Sequence, residues 1–285
     1  MKHLRLLYCL AFAALFAPAQ SQENYKLVWS DEFEVDGRLD STVWNYENGY
    51  ARNEELQWYQ PDNAFCKDGL LIIEARKERR KNPLYQAGEG GDWRTSREFV
   101  ECTSSSVTTA GKKEFLYGRV VVRARIPVGK GAWPAIWMLG ASMEWPSNGE
   151  IDIMEFYRKQ GVPHILANAA WGTDQKWVAK WNSKAIPFSH FLSQNPDWAS
   201  EFHIWRMDWD EEAIRIYLDD ELLNEILLKD TYNGTIGEGK NPFMQPQYLL
   251  LNLAVGGING GPVSENAYPM RYEIDYVRVY GSVAF

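Results

Sequence analysis

The sequence predicts an all-β protein, a sandwich of two antiparallel sheets. Three observations predict it: short runs of strand period recur along the chain, turn residues separate them, and no helical period is sustained. The chain has 285 residues, a length at which a β-sandwich commonly folds as one domain. Hydrophobic residues make up 45% and charged residues 24%, as in chains that fold around a core, which excludes disordered and collagen-like classes.

The chain opens on a targeting segment, residues 1–19, and the remainder, 20–285, is read as one domain. Lys2 and Arg5 precede an apolar run from Leu6 to Phe16, and Ala17-Pro18-Ala19 supplies small residues where a signal peptidase cuts. A membrane span needs about 20 apolar residues, so no membrane anchor is expected and the product is exported, to the periplasm or the medium. Residues 70–75 then read as a short strand after the Lys67-Asp68-Gly69 turn. Residues 117–126 alternate, with Val120, Val122, Ala124 and Ile126 on one face and Arg119, Arg123 and Arg125 on the other. Further strands are expected over 151–157, 164–171, 203–210, 213–218, 247–255 and 272–279. Turns such as Pro127-Val128-Gly129, Pro146-Ser147-Asn148-Gly149 and Asp219-Asp220 divide them. Only 188–192 and 224–228 look helical. The basic run Arg76 to Lys81 is read as a solvated loop.

Charge and aromatic content narrow the partner. Thirty Lys and Arg against 38 Asp and Glu give a net charge of −8, which repels phosphate backbones and excludes nucleic acid as a partner. Thirteen Trp, 15 Tyr and 12 Phe exceed what a core needs. Flat rings with polar edges suit ligands with an apolar face and polar rim, and sugars are such ligands. After export, Cys66 and Cys102 enter an oxidising compartment, where a disulfide and two separate buried thiols are both open readings. No Cys/His grouping has zinc spacing.

The chemistry concentrates in Asn148-Gly149-Glu150-Ile151-Asp152-Ile153-Met154-Glu155-Phe156. On a regular strand Glu150 and Asp152 share a face, while Glu155, five residues after Glu150, points to the opposite one, into the core. An unpaired carboxylate there is costly. One extra residue, a β-bulge near Ile153-Met154, returns Glu155 to the face of Glu150. Crowded carboxylates push their pKa values apart, so one stays ionised while another keeps a proton. Glycosidic cleavage with retention requires that pair, at a separation of about 5–5.5 Å. A calcium site or a solvated acidic strand would be the bland alternatives; calcium more often draws on loop oxygens.

GEIDIMEF resembles the signature E-[ILV]-D-x-x-E of glycoside hydrolase family 16, in its laminarinase-like branch. The resemblance covers essentially the whole mature chain. Residues 26–33 resemble the family's opening strand, Asn53 to Tyr59 its N-x-E-x-Q-x-Y segment, and 131–139 its GxWPAxWML block; 248–257 and 275–280 resemble its closing strands. It implies a β-jelly roll whose concave sheet forms an open sugar-binding cleft. It also implies Glu150 as nucleophile, Glu155 as general acid/base, and Asp152 as the neighbour that tunes both, helping to keep Glu155 protonated by like-charge repulsion while hydrogen bonding orients the nucleophile. Trp133 and Trp137 match positions in or near the cleft floor, with Asn53 and Asn252 as polar contacts to sugar hydroxyls and Trp145 and Trp171 as weaker substrate-binding candidates. Glu32, the Gly69 carbonyl and Asp275 match a structural calcium site on the convex face; no cofactor is implied for catalysis.

The sequence departs from the family at one place. Many laminarinases carry an H-G-T-x-H-like segment after the catalytic strand. Here the stretch is His164-Ile165-Leu166-Ala167-Asn168-Ala169-Ala170-Trp171-Gly172, and Asn168 and Trp171 are expected to rebuild that side of the cleft. His164 is read as a structural or exposed histidine. The expectation is a monomeric endo-β-glucanase acting on β-1,3 or mixed β-1,3/1,4 glucan. A family-16 hydrolase of galactan or xyloglucan and a non-catalytic β-glucan-binding lectin are the alternatives, and the intact acid trio separates the enzyme from the lectin.

Overall fold

The computed structural model describes residues 25–88 and 91–282; the export signal expected over residues 1–19 lies outside them. The strands are β1 (Tyr25–Asp31), β2 (Asn45–Tyr46), β3 (Gln57–Tyr59), β4 (Ala64–Lys67), β5 (Leu70–Ala75), β6 (Arg80–Lys81), β7 (Phe99–Val100), β8 (Cys102–Ser104) and β9 (Ser106–Thr108). They continue as β10 (Gly118–Arg125), β11 (Ala132–Gly140), β12 (Glu150–Lys159), β13 (Val162–Gly172), β14 (Ala179–Pro187), β15 (His203–Trp209), β16 (Ala213–Leu218), β17 (Glu221–Leu227), β18 (Gln247–Val255) and β19 (Met270–Ser282).

Two large antiparallel sheets hold the molecule. One has eight strands in the order β17-β16-β15-β10-β19-β5-β4, with β1 also paired to β19. The other has seven, in the order β14-β13-β12-β11-β18-β9-β2. In β10 the alternation does what its sequence predicts: Val120, Val122 and Ala124 are buried between the sheets. The arginines face outward and pair with acids of neighbouring strands, Arg119 with Asp208, Arg123 with Asp275 and Arg125 with Glu273. One continuous apolar cluster fills the space between the sheets, drawing on Ile136, Ile151, Ile153 and Phe156 from one and Val122, Trp205, Ile216 and Ile274 from the other. At roughly 1.5–3 kcal/mol for each fully buried large apolar side chain, this layer is the main stabilising term.

Three segments differ from expectation. Residues 224–227 belong to β17 and Leu228 opens a 3-10 turn, because apolar spacing that imitates a helix is overridden by the Asp219-Asp220 turn, which folds β17 back on β16. β11 and β14 carry no strand period. β11 is buried on both faces and therefore continuously apolar, while β14 is an edge strand rich in Lys, Asn and Ser. The short helix expected near 188–192 forms as α1 (Phe188–Gln194), burying Phe188 and Phe191. Cys66 and Cys102 are separate buried thiols on β4 and β8, and burial pushes each up to about 11. No helix among the described residues is long and apolar enough to cross a membrane.

Candidate active site

The acidic strand is β12, third in from the edge of the seven-stranded sheet. Gly149 sets its start. Its φ is +79°, and a Cβ there would lie 2.8 Å from Pro242 and 3.1 Å from Phe243, so only glycine turns the chain into the strand this close to its neighbours.

Register shows how the three acids reach one face. Glu150, Asp152 and Glu155 stand opposite Ala170, Asn168 and Leu166 of β13. On β11 the partners are Leu139, Trp137 and Ala135, with Met154 opposite Ile136. Five steps along β12 thus match four on each neighbour, and Ile153 is the extra residue. Ile153 and Met154 are both fully buried in the core. This is the bulge that the E-x-D-x-x-E spacing requires, and it turns Glu155 outward beside its two companions.

The trio lines a cleft of about 560 Å³ with Arg52, Asn53, Trp133, Trp137, Trp145 and Asn168 among its walls. Trp145 Nε1 donates to Glu150 at 2.7 Å and Trp133 Nε1 donates to Glu155 at 2.9 Å. Asn168 Nδ2 bridges Asp152 at 3.1 Å and Glu155 at 3.0 Å. Burial raises all three acids above the usual carboxylate range. The Trp145 bond and the nearby Arg52 charge oppose the rise at Glu150. Glu155 is pushed up to about 7, by burial first and then by the Glu150 charge.

Asp152 departs from its expected role. It is 2% exposed, and burial, then the charges of Glu155 and Glu150, raise it well above its ordinary value. Its hydrogen bonds favour the ionised forms of Glu150 and Glu155. The repulsion that keeps Glu155 protonated therefore comes from Glu150, not from Asp152.

The other candidate residues divide. Asn53, Trp133, Trp137, Trp145, Asn168 and Asn252 all line the cleft. Trp171 does not: it alternates with the outward-facing Ala170, is 7% exposed and packs in the main core. Its strand parity is opposite to that of Asn168, which removes it from the substrate face. Asn252 is committed at both ends, accepting from Trp137 Nε1 at 2.7 Å and donating to the Tyr59 hydroxyl at 3.0 Å. Asn168 likewise spends its amide on the carboxylates. His164 lies outside the cleft walls, with Nδ1 2.8 Å from the Val162 carbonyl.

Comparison with known proteins decides the family. The model of "Glycosyl hydrolases family 16" matches residues 52–278. The chain belongs to glycosyl hydrolase family 16. Among curated relatives, a β-glucanase of Rhodothermus marinus is 36% identical over 276 residues, covering 90% of this chain and 85% of that protein. Among solved structures, the laminarinase catalytic domain of Thermotoga maritima superposes with a TM-score of 0.73 at 34% identity, covering 92% of this chain and all of that one. A structure from work on endo-acting O-glycanases with which human gut bacteria initiate mucin breakdown superposes with a TM-score of 0.78 at 35% identity, covering 90% and 91%.

Within this family-16 cleft, sequence reasoning passed over several residues. Arg52 is one. It pairs with Glu47, lies 5.1 Å from the centre of the Trp137 ring and bears on the Glu150 charge. Glu55, Gln57 and Tyr59 are others, quoted as a motif without a role. Glu55 is buried, accepts from Gln57 Nε2 at 2.6 Å and bonds the Tyr59 hydroxyl. Gln57 Oε1 in turn accepts from the Val255 backbone at 2.7 Å. The N-x-E-x-Q-x-Y segment is thus a buried polar chain that ends, through Asn252, on the Trp137 indole. Trp181 and Ser183 of β14 also line the cleft; an edge strand without apolar period gave no sign of them.

The family's calcium site does not fit the residues present. β1 and β5 run beside the same edge of β19, so Glu32, Gly69 and Asp275 fall near one another in register. Both carboxylates are already engaged, however: Glu32 holds Arg278 through bonds of 2.9 and 2.8 Å, and Asp275 holds Arg123 at 2.6 Å. The two guanidinium charges beside the site repel a dication.

Proposed function

We propose that the chain is an exported endo-acting β-glucanase that cleaves β-1,3 or mixed β-1,3/1,4 glucan with retention. The observation that carries the reading is the asymmetry within the trio. Glu150 receives the Trp145 N–H and the Arg52 charge, both of which favour its anion against the burial that raises it, while burial and the Glu150 charge push Glu155 up to about 7, so that it keeps a proton near neutral pH. Glu150 attacks the anomeric carbon as Glu155 protonates the departing glycosidic oxygen, which leaves a glycosyl ester on Glu150. Glu155, now ionised, takes a proton from water, and the water oxygen displaces Glu150 from the anomeric carbon. Two inversions restore the β configuration. The buried Asn168 Oδ1, without a partner among the described residues, offers an acceptor to a sugar hydroxyl.

A second reading has one observation in its favour. The structure from the mucin O-glycanase work superposes better than the laminarinase domain, with TM-scores of 0.78 and 0.73, and the stretch around Asn168 departs from the laminarinase pattern. That reading keeps the fold and the trio but places mucin O-glycans in the cleft.

Product analysis tests both. The purified protein is incubated separately with laminarin, cereal mixed-linkage glucan and mucin-type O-glycans, and proton NMR follows the anomer that appears first. Short oligosaccharides from the glucans, born as the β anomer, are expected. Products from the O-glycans alone would transfer the assignment to the second reading, and an α anomer first would overturn retention.

A further inference from the structure

The concave face of the seven-stranded sheet is a grid, and one of its rows carries an aromatic ring that the mechanism does not use. Across the strands that row reads Trp181, Ala170, Glu150, Leu139 and Tyr248. On one side of the nucleophile candidate the face is built up: Leu139 and Tyr248 pack against the Ala135, Trp137 and Leu250 cluster. On the other side stands Ala170, a methyl only, and beyond it Trp181 on the edge strand β14.

Trp181 differs from the other tryptophans of the cleft. Trp133 and Trp137 are 5% and 8% exposed and give their N–H groups to Glu155 and Asn252, and Trp145 gives its own to Glu150. Trp181 is 47% exposed, and among the described residues its indole has no hydrogen-bond or ring partner. It nevertheless lines the same continuous cleft as the trio, together with Ser183. An indole left open to water at this place is apolar surface that only a ligand can cover.

We infer that Trp181 is a sugar-stacking platform that holds the glycan away from the scissile bond and so sets the length of chain the enzyme prefers. The platform stands two strand spacings from Glu150, about 10 Å, which is farther than the ring that undergoes attack. The ligand is a pyranose of the same chain, its apolar face on the indole and its hydroxyls toward Ser183. Ala170, fully buried, puts only a methyl between the two points. This rests on the hydrolase reading, and it adds a binding site that acts on long substrates alone.

The test compares Trp181→Ala and Trp181→Phe with wild type on linear oligosaccharides of increasing length, prepared from whichever polysaccharide wild type cuts. For Trp181→Ala, kcat/KM on the longest is expected to fall about tenfold, the loss of a contact of about 1.4 kcal/mol, with the shortest unaffected. Trp181→Phe, which keeps a ring, restores most of the loss. Equal rates at every length, or a loss uniform over lengths, would overturn the platform. So would a change of oligomeric state in Trp181→Ala by analytical ultracentrifugation, since the ring would then belong to a contact between copies. Affinity electrophoresis in gels containing laminarin, mixed-linkage glucan or mucin-type O-glycans reads the contact without turnover. If wild type cuts none of the three yet is retarded in a gel, and Trp181→Ala is not, the hydrolase reading fails while the platform stands. No retardation in any of the gels, with no cleavage, overturns both.

Discussion

The bond from Trp133 Nε1 to Glu155, 2.9 Å long, makes a quantitative prediction. It favours the ionised form of Glu155, against the burial and the Glu150 charge that raise it to about 7. Replacing Trp133 by Phe keeps a ring and removes the donor. A hydrogen bond to a charged group is worth about 1.5–3 kcal/mol, and one pKa unit corresponds to about 1.4 kcal/mol, so the ceiling on the effect is about 1–2 pH units. The protonated acid also accepts the N–H, at its carbonyl oxygen, and that recovers part of the cost. A rise of about one pH unit is therefore expected. The sign follows from the chemistry: Glu155 must hold a proton to expel the leaving group, so activity falls as pH climbs through its pKa. Trp133→Phe should carry the alkaline limb of kcat/KM from near pH 7 to about pH 8, with the acid limb, set by Glu150, in place. The assay is a pH profile of initial rates on the polysaccharide that wild type cuts best. An alkaline limb that stays put, or moves toward acid, would refute the assignment of Glu155 as the acid and of Trp133 as its donor.

Other expectations are briefer. Glu155→Gln should lower kcat by about 10²–10⁴ on substrates with a poor leaving group, with folding retained by circular dichroism. Tyr59→Phe leaves the Asn252 amide N–H without its acceptor and should cost about 1–3 kcal/mol in denaturant unfolding; because Asn252 aims the Trp137 ring, KM should rise more than kcat falls. Deleting Ile153 removes the extra residue of the bulge and leaves Glu155 four steps from Glu150, on the same face of a now regular strand; soluble expression should therefore survive, and a deletion that is insoluble or unfolded by circular dichroism would refute the parity argument. With Glu32 and Asp275 held by Arg278 and Arg123, melting curves with and without a chelator should coincide, and a fall on chelation would restore the calcium site.

What was legible in the sequence follows from what each signal depends on. The strands with alternating or bounded apolar runs, β5, β10, β16 and β18, were readable because one side of each meets a core and the other does not. The bulge was readable because a carboxylate cannot be left in that core, so the spacing of the acids fixes the backbone. β11 was legible only as a block of resemblance, since a strand covered on both faces has no period. Trp171 was misplaced for a related reason: placing a residue on a face needs its parity relative to Asn168, and the strand alone names two faces without saying which is wet. The roles of Asp152 and of the Glu55 to Asn252 chain depend on burial and on contacts between residues far apart in sequence. The calcium ligands were matched one position at a time, whereas Arg123 and Arg278, which occupy them, stand on strands that the match did not consult.

The buried trio also sets a conflict between durability and catalysis. Glu155 is raised in the folded chain from 4.5 to about 7, so its contribution to stability is intact below the unfolded value and is lost as pH rises toward the folded one. Allowing for the solvent that reaches its half-buried carboxylate, the folded chain forgoes about 2 kcal/mol by pH 7 on its account, and Asp152 and Glu150 add in the same direction. A neutral side chain of similar shape at any of these positions escapes that cost. Screening variants at neutral pH for heat resistance alone would therefore enrich molecules that survive boiling better and digest nothing, and a useful screen must score turnover in the same well.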